Sequence, residues 1–232
     1  MSATASMEGS DTLDWSRICV LGEESEPFLQ GQLTQDLSTV DERGRWSLLL
    51  RPDSAVLTTC FIQRVAKGLE LLLPREVGDV ALSRLRRFHL RVKCTLDLDD
   101  VSSGPIATVG ELVRSTWPGV NECQAELTPQ SYGARVVADT VSFTKGCYTG
   151  QELVARLEAR GASVPWRFVH ASGPNLSMVD EVLRSKGPAG PQGVTTAVNE
   201  DGRVSCLGFA HRTLLDATHL ATYPDVVVEP AA

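Results

Sequence analysis

No apolar run in this 232-residue chain approaches the length of a membrane span, which takes about 20 residues as a helix, so no membrane partner is expected. Its six cysteines, Cys19, Cys60, Cys94, Cys123, Cys147 and Cys206, form no C-x-x-C pair. A disulfide framework is therefore not expected in a chain of this size. The four histidines lie far apart and form no H-x-x-x-H. Metal-ligand spacing is thus absent, and no metal site is expected. A positive balance is lacking too. With 22 Lys and Arg against 29 Asp and Glu, the net charge is -7, which argues against a general nucleic-acid binder. The N-terminal stretch MSATASMEGSDTL has neither the basic start nor the apolar core of a signal peptide, so a cytoplasmic location is expected, with residues 1–14 as a flexible leader. No internal repeat is found.

What is present describes a globular protein. Hydrophobic residues make up 42% and charged residues 22%, ordinary values for a chain with a packed core. The length allows more than one lobe. The most informative stretch is KGCYTGQE, residues 145–152. Thr149 and Glu152 have capping-box spacing, and Tyr148 and Leu153 then sit at the positions of a hydrophobic staple. The predicted helix runs through QELVARLEAR, with Leu153, Val154 and Leu157 on one face and Gly161 as its stop. Cys147 precedes this start, where unpaired N–H groups and the positive end of the helix dipole gather. A thiol there tends toward thiolate, and Lys145 acts in the same direction if the side chains converge. Cys147 and Lys145 are accordingly the candidate reactive thiol and its stabiliser. The plainer alternatives are that Glu152 only caps, Tyr148 only staples and Cys147 only fills space.

KGCYTGQE resembles the K-G-C-Y-x-G-Q-E signature of the folate-binding YgfZ family, a relative of the T-protein (aminomethyltransferase) of the glycine cleavage system. Lys145, Gly146, Cys147, Tyr148, Gly150, Gln151 and Glu152 match every set position. FLQGQLTQDL, residues 28–37, resembles the family's N-terminal F-L-Q-G-x-x-T-x-D segment. The resemblance implies an α+β, T-protein-like fold with a C-terminal antiparallel β-barrel around a central folate cleft. It implies tetrahydrofolate or a derivative as cofactor. The folate-binding candidates are Gln35, Asp36, Tyr148, Gln151, Glu152 and Arg156; an equal reading of Asp36 is a cap of the helix end or of the following turn. It also implies iron–sulfur proteins or their assembly machinery as partners. Where T-proteins show R-x-E-x-G, this chain reads RSTWPG (114–119), without the acid that would pair with a pterin.

The hydrophobic periodicity predicts strands over 17–21, 46–50, 56–65 and 69–73, with Lys67 and Gly68 turning a hairpin. It predicts helices over 25–36 and 76–89, and a strand over 91–96. Residues after Pro165 read as short strands over 166–171, 193–198, 204–210, 220–223 and 226–228. The expected division is an α+β folate-binding region over 15–163 and a barrel over 164–232. Arg84, Arg86, Arg87, Arg91 and Lys93 make a basic patch, read first as a solvated helix face and second as a landing site for folate-tail carboxylates. Three functions follow. The first is a folate-linked accessory factor for assembly or repair of iron–sulfur proteins, not a conventional enzyme. The second is a tetrahydrofolate-dependent aminomethyltransferase, a one-carbon transferase. The third is a non-catalytic scaffold.

Overall fold

Strict alternation in GLELLLP explains the first lobe. Leu69, Leu71 and Leu73 are buried while their neighbours are half-exposed, as a pleated strand with one buried face requires. The computed structural model describes residues 7–8, 11–161, 163–200, 202–215, 220 and 222–231. It places this strand, β5 (Gly68–Pro74), beside β4 (Val56–Val65) and β2 (Trp15–Leu21), all antiparallel. β3 (Arg45–Leu50) and β6 (Thr95–Val101) complete a five-stranded sheet of order β3-β4-β5-β2-β6. The predicted hairpin is present: Lys67 turns into Gly68, which pairs with Val65. Helices α1 (Ser25–Gln30) and α2 (Gly78–Arg86) cover one face through Phe28, Leu29, Leu82 and Leu85, packed with Ile18 and Val20.

The second sheet has the order β1-β8-β9-β7-β10. Its strands are β1 (Met7–Glu8), β7 (Trp166–Gly173), β8 (Gly193–Glu200), β9 (Arg203–His211) and β10 (Val227–Pro230). β1 runs parallel to β8 and the other pairs are antiparallel. The period of two sorts its side chains. Phe168, Leu207 and Phe209 enter a core shared with Trp15, Leu50 and Tyr148 of the first lobe. Val169, Cys206 and Ala210 point the other way, beneath α7 (Leu176–Arg184). Between the sheets lie α3 (Val109–Arg114), α4 (Val120–Cys123), α5 (Ala134–Thr140) and α6 (Gln151–Ala159). The resulting layers bury one core between two sheets and one on each outer face.

Several expectations change. The helix predicted over 25–36 ends at Gln30, because Gly31 turns the chain and Leu33 bridges Leu49 on β3. The strand predicted over 91–96 begins at Thr95, since Arg91 adopts a left-handed φ of 59° and the chain joins β2 only afterwards. The barrel is not closed among the described residues: β1 and β10 are free ends of an open sheet. The chain between β7 and β8 forms α7, whose Asn175 cap accepts from the Met178 N–H at 2.9 Å. The strand predicted over 220–223 falls partly outside the described residues, and Leu220, Thr222 and Tyr223 form none. The segment expected as a leader, 1–14, also falls partly outside them; it contributes β1 and a bridge from Thr12 to Thr108. Among the described residues no helix is long and apolar enough to cross a membrane.

Candidate functional site

The two stretches that stand out in the sequence meet in space. Lys145 is half-buried, and its ammonium donates to the carbonyls of Gln30, Leu33 and Gln35 at 2.8, 2.7 and 2.8 Å. The Thr149 N–H donates to the Gly31 carbonyl at 3.1 Å, and its hydroxyl lies 3.5 Å from Gln32 Oε1. Residues 145–149 are therefore strapped onto residues 30–35. Of the three acceptors, the Gln30 carbonyl is the last of α1, where a helix end leaves acceptors without helical partners. Burial pushes Lys145 down to about 8 against the pull of Asp36, while the three carbonyl acceptors favour its proton.

This geometry shifts the helix start by one residue. Gly150, not Thr149, is the N-cap of α6, at φ 84°. The Thr149 hydroxyl is turned toward residues 31 and 32, so the expected capping box does not form. Gln151 Oε1 instead accepts from the Tyr148 N–H at 3.1 Å. Glycine at 150 is needed twice over: its φ is left-handed, and a Cβ there would lie 2.6 Å from the Arg51 carbonyl. Gly161 ends the helix as expected, at φ 74°.

Cys147 is the one exposed cysteine of the six. Burial pushes Cys60, Cys123 and Cys206 up to about 12, and Cys19 and Cys94 are raised for the same leading reason. Cys94 has a histidine nearby, with His89 Nε2 at 3.3 Å. That nitrogen also faces the Cys94 carbonyl at 2.8 Å and must donate there, since a carbonyl only accepts. Lys145 commits its three protons to carbonyls, so none is left to hydrogen-bond the Cys147 thiol.

The other predicted residues are dispersed. Gln35 is buried; its side chain donates to the Asp139 carbonyl at 3.0 Å and accepts from the Asp36 N–H at 2.9 Å. Asp36 caps a short 3-10 turn. It accepts from Gln30 at 3.0 Å and from the Ser38 N–H at 3.1 Å, which hold its carboxyl below the usual range. Tyr148 lies in the core between the sheets, where burial pushes its phenol up to about 12. Glu152 and Arg156 are exposed on α6. None of these six lines either of the two cavities described below.

A pocket lies elsewhere. Between the lobes is a cavity of about 260 Å³ whose wall includes Trp15, Thr59, Trp117, Gly119 and Thr196, with the exposed Asp14 and Glu76 also on its lining. Trp117 belongs to RSTWPG, so the stretch that lacks the expected acid still faces the cavity. Trp15 donates its indole N–H to the Ile106 carbonyl at 2.9 Å. The Trp117 indole N–H, on a residue only 3% exposed, has no acceptor. Its ring centroid lies 4.7 Å from that of Trp46, with the planes tilted by 42°. Glu122 ties the wall together: it accepts from the Gly119 N–H at 2.8 Å, and from Thr195 and Thr196 at 2.5 and 2.7 Å. Flat aromatic walls, a free buried donor and carboxylates are the groups a fused heteroaromatic ring would use. Sequence reasoning missed Trp117, Trp15, Asp14 and Glu76 because their convergence depends on packing of the two lobes. Among the described residues no group of three metal-ligating side chains exists.

No protein-family model matches the chain. It is 28% identical over 222 residues to a tRNA-modifying protein YgfZ of Edwardsiella ictaluri, across 65% of this chain and 66% of that protein. It is 24% identical over 245 residues to a tRNA-modifying protein YgfZ of Sodalis glossinidius, across 74% of each. The crystal structure of glycine cleavage system aminomethyltransferase T from Bartonella henselae superposes with a TM-score of 0.55 at 12% identity, covering 90% of this chain and 80% of that one. The chain is similar to YgfZ proteins over about two thirds or more of its length. Its fold is that of the T-protein, with two sheets in place of the parts expected as a lobe and a barrel. In this chain the signature does two separable things. Lys145 and Gly150 shape the strap, and Cys147 is what the strap presents to solvent.

Proposed function

We propose that this chain is a folate-linked accessory protein that supports assembly or repair of iron–sulfur proteins through the Cys147 thiol. The observation that carries the reading is the single exposed cysteine held on an anchored strap. Its simplest chemistry is exchange. A Cys147 thiolate attacks one sulfur of an oxidised client disulfide, the new S–S bond forms as the old one breaks, and the departing thiolate takes a proton. A low-molecular-weight thiol then releases Cys147 by the same step. The inter-lobe cavity supports the folate part. The residues fit a pterin: Trp15 and Trp117 offer apolar faces, the free Trp117 N–H meets an acceptor, and Asp14 or Glu76 meets ring N–H groups. The relatives' name points to tRNA modification. In this reading an RNA-modifying enzyme is a client, and RNA does not bind the acidic chain itself.

Deletion of the protein lowers iron–sulfur enzyme activity, and Cys147→Ala fails to restore it although the variant folds. Full restoration by Cys147→Ala would falsify the thiol mechanism. An aminomethyltransferase gives the other pattern: glycine cleavage falls and Cys147→Ala is tolerated. A scaffold gives full rescue and no heat on titration with tetrahydrofolate. Calorimetry with tetrahydrofolate tests the cavity, with binding expected in wild type and weakened about tenfold in Trp117→Phe by loss of one buried hydrogen bond.

A further inference from the structure

A second cavity, of about 630 Å³, opens between α2 and the turn after β3, and Arg51, Arg84 and Arg87 line it. Arg84 is 6% exposed. Its Nη1 donates to Gln32 Oε1 at 3.1 Å, and its guanidinium lies 4.3 Å over the Phe88 ring. Its Nε and Nη2 have no partner, and Arg51 Nε has none either. Nε–H and Nη2–H run parallel along one edge of a guanidinium, the edge that grips two oxygens of a carboxylate or phosphate at once. A buried cation with that edge empty costs free energy unless something fills it. Burial and the neighbouring charge of Arg87 both act against the Arg84 cation. Asp53 and Asp79 also line the cavity, yet Arg84 pairs with neither. Asp53 accepts from the Ala55 N–H at 3.2 Å.

We propose that this cavity is an oxyanion site, in which the Nε–Nη2 edge of Arg84 binds a carboxylate or phosphate group bidentately with Arg51 and Arg87 beside it. The site adjoins the signature strap on two sides. Gln32 Oε1, which receives Arg84, also lies 3.5 Å from the Thr149 hydroxyl, and the Arg51 carbonyl abuts Gly150. An anion on Arg84 therefore acts on the residues that position Cys147. This inference stands apart from the folate reading, because the site does not share its lining with the inter-lobe cavity.

Thermal unfolding and calorimetry of the full chain test it, with inorganic phosphate and glutarate as probes against chloride at equal ionic strength. Both probes raise the wild-type Tm, and their affinity falls by about tenfold or more in Arg84→Met, as loss of a bidentate pair predicts. Arg84→Met without anion unfolds no earlier than wild type. An anion-induced rise that persists undiminished in Arg84→Met overturns the proposal. If that variant does not fold, the exposed Arg87→Gln replaces it: a roughly threefold loss of phosphate affinity is expected, and unchanged affinity overturns the site. Tetrahydrofolate and a reduced pterin without the glutamyl tail separate the sources. Joint loss of phosphate and tetrahydrofolate affinity in Arg84→Met, with the tail-less pterin unaffected, assigns the anion to the folate tail, whereas loss of phosphate affinity alone assigns a free phosphate. Pterin binding that survives in Arg84→Met while phosphate binding is unaffected sinks this proposal and leaves the folate reading standing.

Discussion

The signature strap and the two cavities differ in how their polar groups are satisfied. On the strap, every proton of the Lys145 ammonium has a carbonyl, the Thr149 N–H has another, and Gln151 closes onto Tyr148. In the cavities the Trp117 N–H and one edge of Arg84 have nothing. A region that satisfies itself contributes to stability. A buried donor left open calls for a partner that the chain itself does not supply. The most recognisable residues of the chain are thus mainly architectural, and the unpartnered donors of Arg84 and Trp117 lie outside the signature, in the basic patch and in RSTWPG.

That contrast breaks if the strap proves dispensable to the fold. Lys145→Met removes three charge-assisted bonds and should lower unfolding stability by about 3 kcal/mol after allowing for partial exposure, read from urea titration. A loss under a third of that would mean the carbonyls find water. Gly150→Ala forces a side chain into a left-handed turn and onto the Arg51 carbonyl, at an expected cost of about 2 kcal/mol; calorimetric Tm tests it, and a neutral result would show that the backbone relaxes.

Smaller effects sharpen the comparison. Trp117→Phe should cost about 1 kcal/mol, all of it lost ring volume, since the indole N–H bonds to nothing in the free protein. Adding Phe at 117 to a saturating tetrahydrofolate experiment should then enlarge the difference from wild type. Asp36→Asn tests the strap by pH. Hydrogen bonds from Gln30 and Ser38 hold the Asp36 carboxyl below the usual aspartate range in the folded chain, so its contribution is fully present above the unfolded value and disappears as pH falls through the folded one. Wild type and variant should differ in stability at pH 7, and the gap should narrow in acid; a gap that stays constant contradicts the cap. Cys147→Ala should leave stability unchanged within about 0.5 kcal/mol, as for exposed positions. In wild type, limited alkylation should label Cys147 before the other five. Faster labelling of Cys94, the one cysteine with a ring nitrogen beside it, removes Cys147 from its role.

The strands of the first lobe were legible because Leu69, Leu71 and Leu73 alternate with half-exposed neighbours. The helix after the signature was legible from Leu153, Val154 and Leu157, but its start was misplaced, because whether a threonine hydroxyl turns inward to its helix or outward to a distant loop is decided by tertiary contacts. The same holds for Asp36, whose capping role was one of two readings until Ser38 and Gln30 were seen on it. α7 was missed although Asn175 and the Val179, Val182, Leu183 stripe mark it; short β-type runs on both sides drew the eye to a barrel. Arg84 was legible only as one member of a basic patch, and Trp117 only as part of a segment without its expected acid. Their significance is a missing partner, and a sequence does not show where partners fail to arrive.

The anchors of the strap also have a history in time. Lys145 reaches back 110 to 115 residues to its three carbonyls. At translation rates of about 5–20 residues per second, the 30–35 segment leaves the ribosome on the order of ten seconds before its lysine exists. During that interval α1 ends in carbonyls that only water can serve, and the lobe around β5 must hold its shape without them. Contacts made so late in the chain close a long loop and belong to the last steps of folding. Weakening them should therefore speed unfolding far more than it slows folding. The exposed thiol is therefore expected to be among the last features of this surface to form, and faster unfolding of Lys145→Met with little change in refolding rate would show it.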